Sequence, residues 1–449
     1  VSETYDVLMK ASDNAIRRIN LNKHDDSYIL RVKTLKEIQK RQEKSYRRVE
    51  LEKISKEVTF CFKDHRVSFF LDKINALFPC NKLILMHRRP NDIISSLVEK
   101  KWFSDQYLNS EFAHQVHAVK IIKNKKHIIL VNVEADVTCG KYLADLAKEN
   151  NVICSMAYGD QPSLIMEQIE WAKLNGFSVV CAGKGTKYHP DFEYSTPDTV
   201  WGHYGLSKER AEIESGMNPK MFNSFLCGDK SAIEMCAVSN ASNLKCPSNG
   251  LTFPPVGVYD IAKKLIPKVE GGLIDYEGQV EVISSIDLNQ KDIPNDLRWG
   301  VYIVIKAQNQ YVKNCFKDYG MVTDLSGSYS AIWRPYHYIG LELAQSIYAI
   351  ALDQKATGQT INYNADVAAY AKKDLKIGER LDGEGGFCAR GKLITSKKSK
   401  DEKILPLGLT DGAIVKKDIN KDQSIRLDDV ELDLPEDVVK ARQYQYDLI

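Results

Sequence analysis

The chain has 449 residues and carries 62 Lys and Arg against 60 Asp and Glu, a formal net charge of +2. That near balance gives no whole-chain drive toward nucleic acid or a membrane surface, and the length calls for several domains with ample core. Ten cysteines are scattered without a CxxC or a close Cys/His spacing, which excludes a metal-ribbon class and predicts reduced core thiols in a cytoplasmic protein.

The front of the chain differs in charge from the rest. Residues 1–110 hold 22 Lys and Arg against 15 Asp and Glu, a net of +7, which leaves −5 for the remainder. The opening VSETYDVLMKASDNAIRR is polar and reads as no signal peptide. Since position 1 is Val rather than Met, further N-terminal residues are expected. No apolar run in the chain is long enough to span a bilayer. Residues 1–50 are charged, with a helical rhythm at Ile29, Val32, Leu35 and Ile38. Strands are predicted over Val58–Phe62 and Lys82–Met86, and helices over Ser68–Leu77 and Asp92–Lys101.

The run KDHRVSFFLDKINALFPCNKLILMHRRPNDIISSL, residues 63–97, resembles the second half of the sulfotransferase fold. That resemblance implies that Arg88, at a strand end, and Ser96, in the next helix, hold the 3′-phosphate of a sulfuryl donor. An arginine plus a hydroxyl near a helix start suits a phosphate. The family's Gly/Ser/Thr-rich donor loop has no counterpart in the chain.

From about residue 115 the pattern changes. A helix ends at Lys123, and three short apolar runs follow: Ile128–Val133, Val152–Met156 and Ser178–Ala182. Between them lie helical patterns over Gly140–Glu149 and Pro162–Leu174. This alternation predicts βαβ units and a parallel sheet. Polar clusters follow the strands: Asn132 to Asp136, Tyr158 to Gln161, and Gly183 to Lys187. In open α/β sheets, ligands bind beyond the carboxyl ends of strands. Asn132 and Glu134 are therefore candidates to hydrogen-bond a cofactor or substrate. Lys184 and Lys187 are candidates for a phosphate or carboxylate. Asp160 and Gln161 either bind substrate or cap the helix that follows.

Further along, Gln279–Ser285 and Gly300–Ala307 alternate and are β-branched, as strands of a second sheet are. Arg334 and His337 sit among aromatics before an apolar helix predicted over Ile339–Leu352, and could complete an anion pocket. In Gly228-Asp229-Lys230-Ser231-Ala232-Ile233-Glu234, the i, i+4 spacing puts Lys230 and Glu234 on one helix face. A buried lysine beside carboxylates can polarise a carbonyl or relay a proton. The plain alternative is a surface ion pair. Near the C-terminus, DVAAYAKKDLKIGERLDGEGG and GAIVKKDINKDQSIRLDDVEL are two similar half-motifs, Ser396–Glu402 reads as a solvent loop, and Lys440–Ile449 as a terminal helix or tail.

The segments VNVEADVTCGKYL, AYGDQPSLI, AGKGTKY, TPDTVWGHYGL, GMNPKMFNSFLCGDKSAIEM, GLTFPPVG, DLRWGVYIV and WRPYHYIGLEL together resemble one family. It is the homoserine-dehydrogenase-like NAD(P)-dependent oxidoreductases with a C-terminal SAF domain, in the 1-deoxy-D-xylulose 5-phosphate reductoisomerase-like branch. The resemblance implies a Rossmann-like parallel sheet, an α+β substrate domain and a small β-rich SAF domain. The expected division is 1–110, 115–190, 191–360 and 362–435. It implies NAD or NADP as cofactor and catalysis by Lys230, tuned by Glu234 with Asp229 as the nearest carboxylate. The substrate would be a small phosphorylated keto sugar or polyol, and the chain a homo-oligomer with no nucleic-acid or membrane partner and no metal. The family's GxGxxG is absent from the chain, and the sulfotransferase-like segment stands where the first strands belong. Sulfuryl transfer by that segment, or an inactive fused remnant, are the alternative readings.

Overall fold

The computed structural model describes residues 112–449. The sulfotransferase-like segment, with Arg88 and Ser96, lies outside the described residues. The described chain is mixed α/β.

It opens with helix α1 (Ala113–Lys123), strand β1 (Ile128–Leu130), helix α2 (Val133–Glu149) and strand β2 (Cys154–Met156). β1 and β2 pair in parallel, Ile128 opposite Cys154. Their fully buried aliphatic run, with Ile121, Ile122 and Leu143 from α1 and α2, forms one core. Helix α2 starts seven residues before the predicted Gly140. The Asn132 side chain accepts the Ala135 N–H at 2.7 Å, and Glu134 and Asp136 occupy the first turn. An Asn cap followed by acids is a helix start signal, so the polar cluster after β1 belongs to a helix and not to a loop.

Helix α3 (Gln161–Leu174) leads to strand β3 (Ser178–Thr186). This strand does not extend the β1–β2 pair, as the βαβ pattern predicted. It joins β4 (Gln279–Ser284), β5 (Val301–Lys306) and β6 (Tyr329–Arg334) in a sheet of order β4-β3-β5-β6. β3 runs parallel to β4 and antiparallel to β5, and β5 is antiparallel to β6. β3 also continues through Gly183-Lys184-Gly185, which the sequence places just after the strand. A Cβ on Gly183 would lie 1.7 Å from the Glu281 carbonyl oxygen, and one on Gly185 would lie 2.0 Å from that of Leu297. Glycine is needed there for close backbone approach within a strand.

Both faces of this sheet are buried. Val301, Ile303 and Ile305 point into the main core with α3 and helix α6 (Asp229–Ser242). Tyr302 and Val304, the alternate residues, join a second cluster with helix α7 (Ile261–Lys264). Around these lie helices α4 (Val200–Tyr204), α5 (Pro219–Leu226), α8 (Gln310–Asp318) and α9 (Ala344–Asp353). The last is the apolar helix predicted over Ile339–Leu352, shifted toward the C-terminus.

The C-terminal part holds the antiparallel pairs β7 (Ala365–Ala371) with β8 (Ala389–Thr395), and β9 (Ile414–Val415) with β10 (Val430–Glu431). Residues 396–401, predicted as a solvent loop, form helix α10 (Ser396–Asp401) with Ser396 and Ser399 buried. The final helix α11 (Glu436–Asp447) returns to the front of the described chain. Its Arg442 pairs with Asp366 at 2.7 Å, and Gln445 donates to the Thr138 carbonyl in α2 at 3.2 Å. Among the described residues no helix is long and apolar enough to cross a membrane.

Candidate active site

Helix α6 is buried along all 14 of its residues and carries three of the candidate groups. It follows Gly228, whose φ of 91° is open to glycine at little cost. Asp229, the first helical residue, accepts two backbone N–H groups of the C-terminal part: Gly391 at 2.6 Å and Gly385 at 2.9 Å. It anchors the helix start against that part and is a positioning group.

One residue on, Lys230 Nζ donates to Glu134 Oε1 at 2.6 Å. Their side chains are 6% and 17% exposed. A turn further, Glu234 accepts from Lys184 of β3, with both side chains buried. The helical spacing pointed to Lys230 and Glu234 as partners. The fold gives Lys230 a carboxylate from α2 and gives Glu234 an ammonium from β3. A lone charge at either depth would be costly, and within each pair the partner offsets that cost.

Glu134 also faces a cleft of about 350 Å³. Asn132 and Glu134 line it from the start of α2, Lys220 and Ser224 from α5, and Glu384 and Asp411 from the C-terminal part. Lys220 approaches Asp411 at 3.9 Å, and Ser224 donates to Glu384. The cleft is polar, and Glu134 is the wall group backed by a buried cation. The two candidates placed after β1, Asn132 and Glu134, therefore meet Lys230 of α6 at one place. The four other named cleft groups, Lys220, Ser224, Glu384 and Asp411, were not found from sequence. Glu384 lies in a Gly-rich run and Asp411 in a turn, with no periodicity to mark them.

The remaining candidates stand apart in their contacts. Asp160 caps α3, its Oδ1 accepting the Gln161 N–H at 2.9 Å, and Gln161 Nε2 donates to the Gly300 carbonyl at 3.2 Å. Arg334 is paired with Glu342, and His337 Nδ1 lies 2.7 Å from the Trp299 carbonyl oxygen. Carboxylate partners thus already neutralise Lys184 and Arg334, two of the three cations expected to receive an anion. Lys187 donates to the His203 carbonyl at 2.8 Å. Burial, with Arg298 nearby, holds its ammonium below the ordinary lysine range.

Two buried acids were not among the candidates. Burial pushes the Glu281 carboxyl up to about 7 and the Asp136 carboxyl up to about 6. Glu281 sits in the apolar run of β4, and Asp136 takes a hydrogen bond from Thr360 at 2.9 Å. Among the described residues no group of three or more His, Cys, Asp or Glu is placed to hold a metal ion.

A dinucleotide pyrophosphate rests on a Gly-rich turn at a helix N-terminus after a parallel strand. The helices that follow β1 and β2 start differently. α2 has an Asn cap with Glu134 and Asp136 in its first turn, and α3 is capped by Asp160. These carboxylates repel a pyrophosphate, so the two helix starts do not fit that part of a nicotinamide cofactor.

Residues 159–343 match the family model for the catalytic domain of oxidoreductase DRL, and residues 366–431 match the SAF domain. The middle of the chain is thus similar to an oxidoreductase catalytic domain that includes Lys230, and the end is similar to a SAF domain. Asn132 and Glu134 precede the matched region. Among solved structures, an oxidoreductase from Bacillus cereus is 13% identical, with 66% of this chain and 90% of the other covered and a TM-score of 0.26. A probable dehydrogenase from Thermotoga maritima is 11% identical, with 67% and 82% covered and a TM-score of 0.23. No curated protein matches the chain in sequence.

Proposed function

We propose that the chain is an oxidoreductase acting on a small keto sugar or polyol that carries an anionic group, with NAD or NADP as its redox partner. One observation carries this reading: Glu134 on the cleft wall, held by the buried Lys230 at 2.6 Å. Interconversion of a hydroxyl and a carbonyl requires a proton to leave or reach the substrate oxygen. Glu134 is the group that accepts it from the hydroxyl, and Lys230 keeps the carboxylate ionised and fixes its orientation. Asn132, at the helix cap beside it, and Ser224, from α5, are positioned to bind the substrate's other hydroxyls. The chemistry of the described residues is confined to the substrate side: binding, orientation and proton movement. The match of residues 159–343 to an oxidoreductase catalytic domain supports the reaction class.

The test is reduction of NAD or NADP by the full chain with short polyols, their phosphates and hydroxy acids, the direction in which Glu134 takes the hydroxyl proton. Turnover is expected with at least one pair. Glu134→Gln should lower it about a hundredfold or more while the fold is kept. No turnover with any pair, or an unimpaired Glu134→Gln, contradicts the reading.

A further inference from the structure

Two cations meet just past the carboxyl end of β3 without a carboxylate of their own. Lys187 Nζ is bound to a backbone carbonyl, that of His203. It lies 5.9 Å from the ring centroid of Tyr204. The guanidinium carbon of Arg298 lies 6.0 Å from the same centroid and 4.9 Å from that of Trp299. Both cations thus lie near the Tyr204 ring, and the arginine also lies near the Trp299 ring. Among the described residues the Arg298 guanidinium makes neither an ion pair nor a hydrogen bond, and Lys187 makes no ion pair.

The other buried or half-buried cations considered above differ. Lys184, Lys230 and Arg334 each hold a carboxylate. The acids around this group are Asp292, which acts on Lys187 from an exposed position, Asp296, whose Oδ1 accepts the Arg298 backbone N–H at 2.7 Å, and Asp191, which acts on His203 and is itself paired with His189. Asp292 offsets part of the repulsion on Lys187, and none of these acids forms an ion pair with either cation. Lys187 depresses the protonation of His203 in addition to the effect of burial, and Arg298 does the same to Lys187. Two cations kept together at a strand's carboxyl end, one of them a planar fork steadied by aromatic rings, match a dianionic oxyanion.

We propose that Lys187 and Arg298, both beside Tyr204, bind the phosphate of a phosphorylated small molecule. The assignment deepens the oxidoreductase reading by placing the substrate's anionic group away from Lys184 and Arg334, but it is tested without turnover.

The full chain is titrated by calorimetry with inorganic phosphate, glycerol 3-phosphate and glycerol. Both phosphates should bind and glycerol should not. Lys187→Met and Arg298→Gln should each weaken phosphate binding at least about tenfold, and Arg298→Lys, which keeps charge but loses the fork, should fall between. Lys317→Ala, an exposed cation on α8, should bind as the unaltered chain does. Circular dichroism checks that each variant is folded. Absence of phosphate binding by the unaltered chain, or equal binding by the Lys187 and Arg298 variants, overturns the assignment. Phosphate binding without NAD or NADP turnover leaves this site standing while the oxidoreductase reading falls. Turnover without phosphate binding does the reverse.

Discussion

Lys184 and Glu234 form an enclosed ion pair, with side chains 6% and 5% exposed. Removing one partner leaves the other charge buried and unpaired, whereas removing both leaves an apolar contact. Lys184→Met alone should therefore cost about 3–5 kcal/mol. Lys184→Met with Glu234→Leu should recover most of that loss. Urea unfolding of the two single variants and the double variant measures it, and a double variant as unstable as the singles would sink the account of the pair. The Lys230–Glu134 pair differs because its carboxylate reaches the cleft. There the same physics holds a base ready instead of merely holding two elements together.

At the scale of elements, β3 depends on its two glycines. A Cβ at Gly183 would enter the space of the Glu281 carbonyl, so Gly183→Ala should destabilise the protein by at least about 1–3 kcal/mol, read from its urea midpoint. An unchanged midpoint would show that the β3–β4 backbone can part freely. Much of the element pattern was legible. The apolar runs of β1, β2, β4 and β5 and the helices α2 and α3 all carried their period in the residues. Two things were not legible. The partner of β3 is set by strands more than ninety residues further along, and no local pattern encodes a pairing of that range. The start of α2 was masked because Asn132, Glu134 and Asp136 look like a polar loop until they are read as a cap and first turn. The site was legible as residue types but not as partners. Lys230 and Glu234 share a helix, yet each takes its opposite charge from another element.

Across the whole molecule, Glu281 and Asp136 make stability depend on pH. Both carboxyls are raised by burial, to about 7 and about 6, from ordinary values of 4.5 and 3.8. A raised folded value means that the unfolded chain releases its proton first as pH rises. The stability these groups contribute is complete below the unfolded values and is lost as pH rises through the folded ones. For Glu281 the loss is about 3 kcal/mol. The urea midpoint should fall between about pH 4 and about pH 7, and Glu281→Gln should flatten that fall. A variant with the same pH dependence as the unaltered chain would contradict the burial argument.

The whole molecule also closes on itself. α11 joins α2 to β7 through Arg442, Asp366 and Gln445, and Asp229 fastens α6 to the same C-terminal part. The cleft is therefore lined by residues from both ends of the described chain, Glu134 from near its start and Glu384 and Asp411 from near its end. The proton-accepting role of Glu134 is tested most directly by chemical rescue. Glu134→Ala should lose turnover about a hundredfold or more, and added formate, entering the cleft beside Lys230, should restore a measurable part. A Glu134→Ala variant that turns over as fast as the unaltered chain, or one whose loss formate leaves untouched, would contradict it.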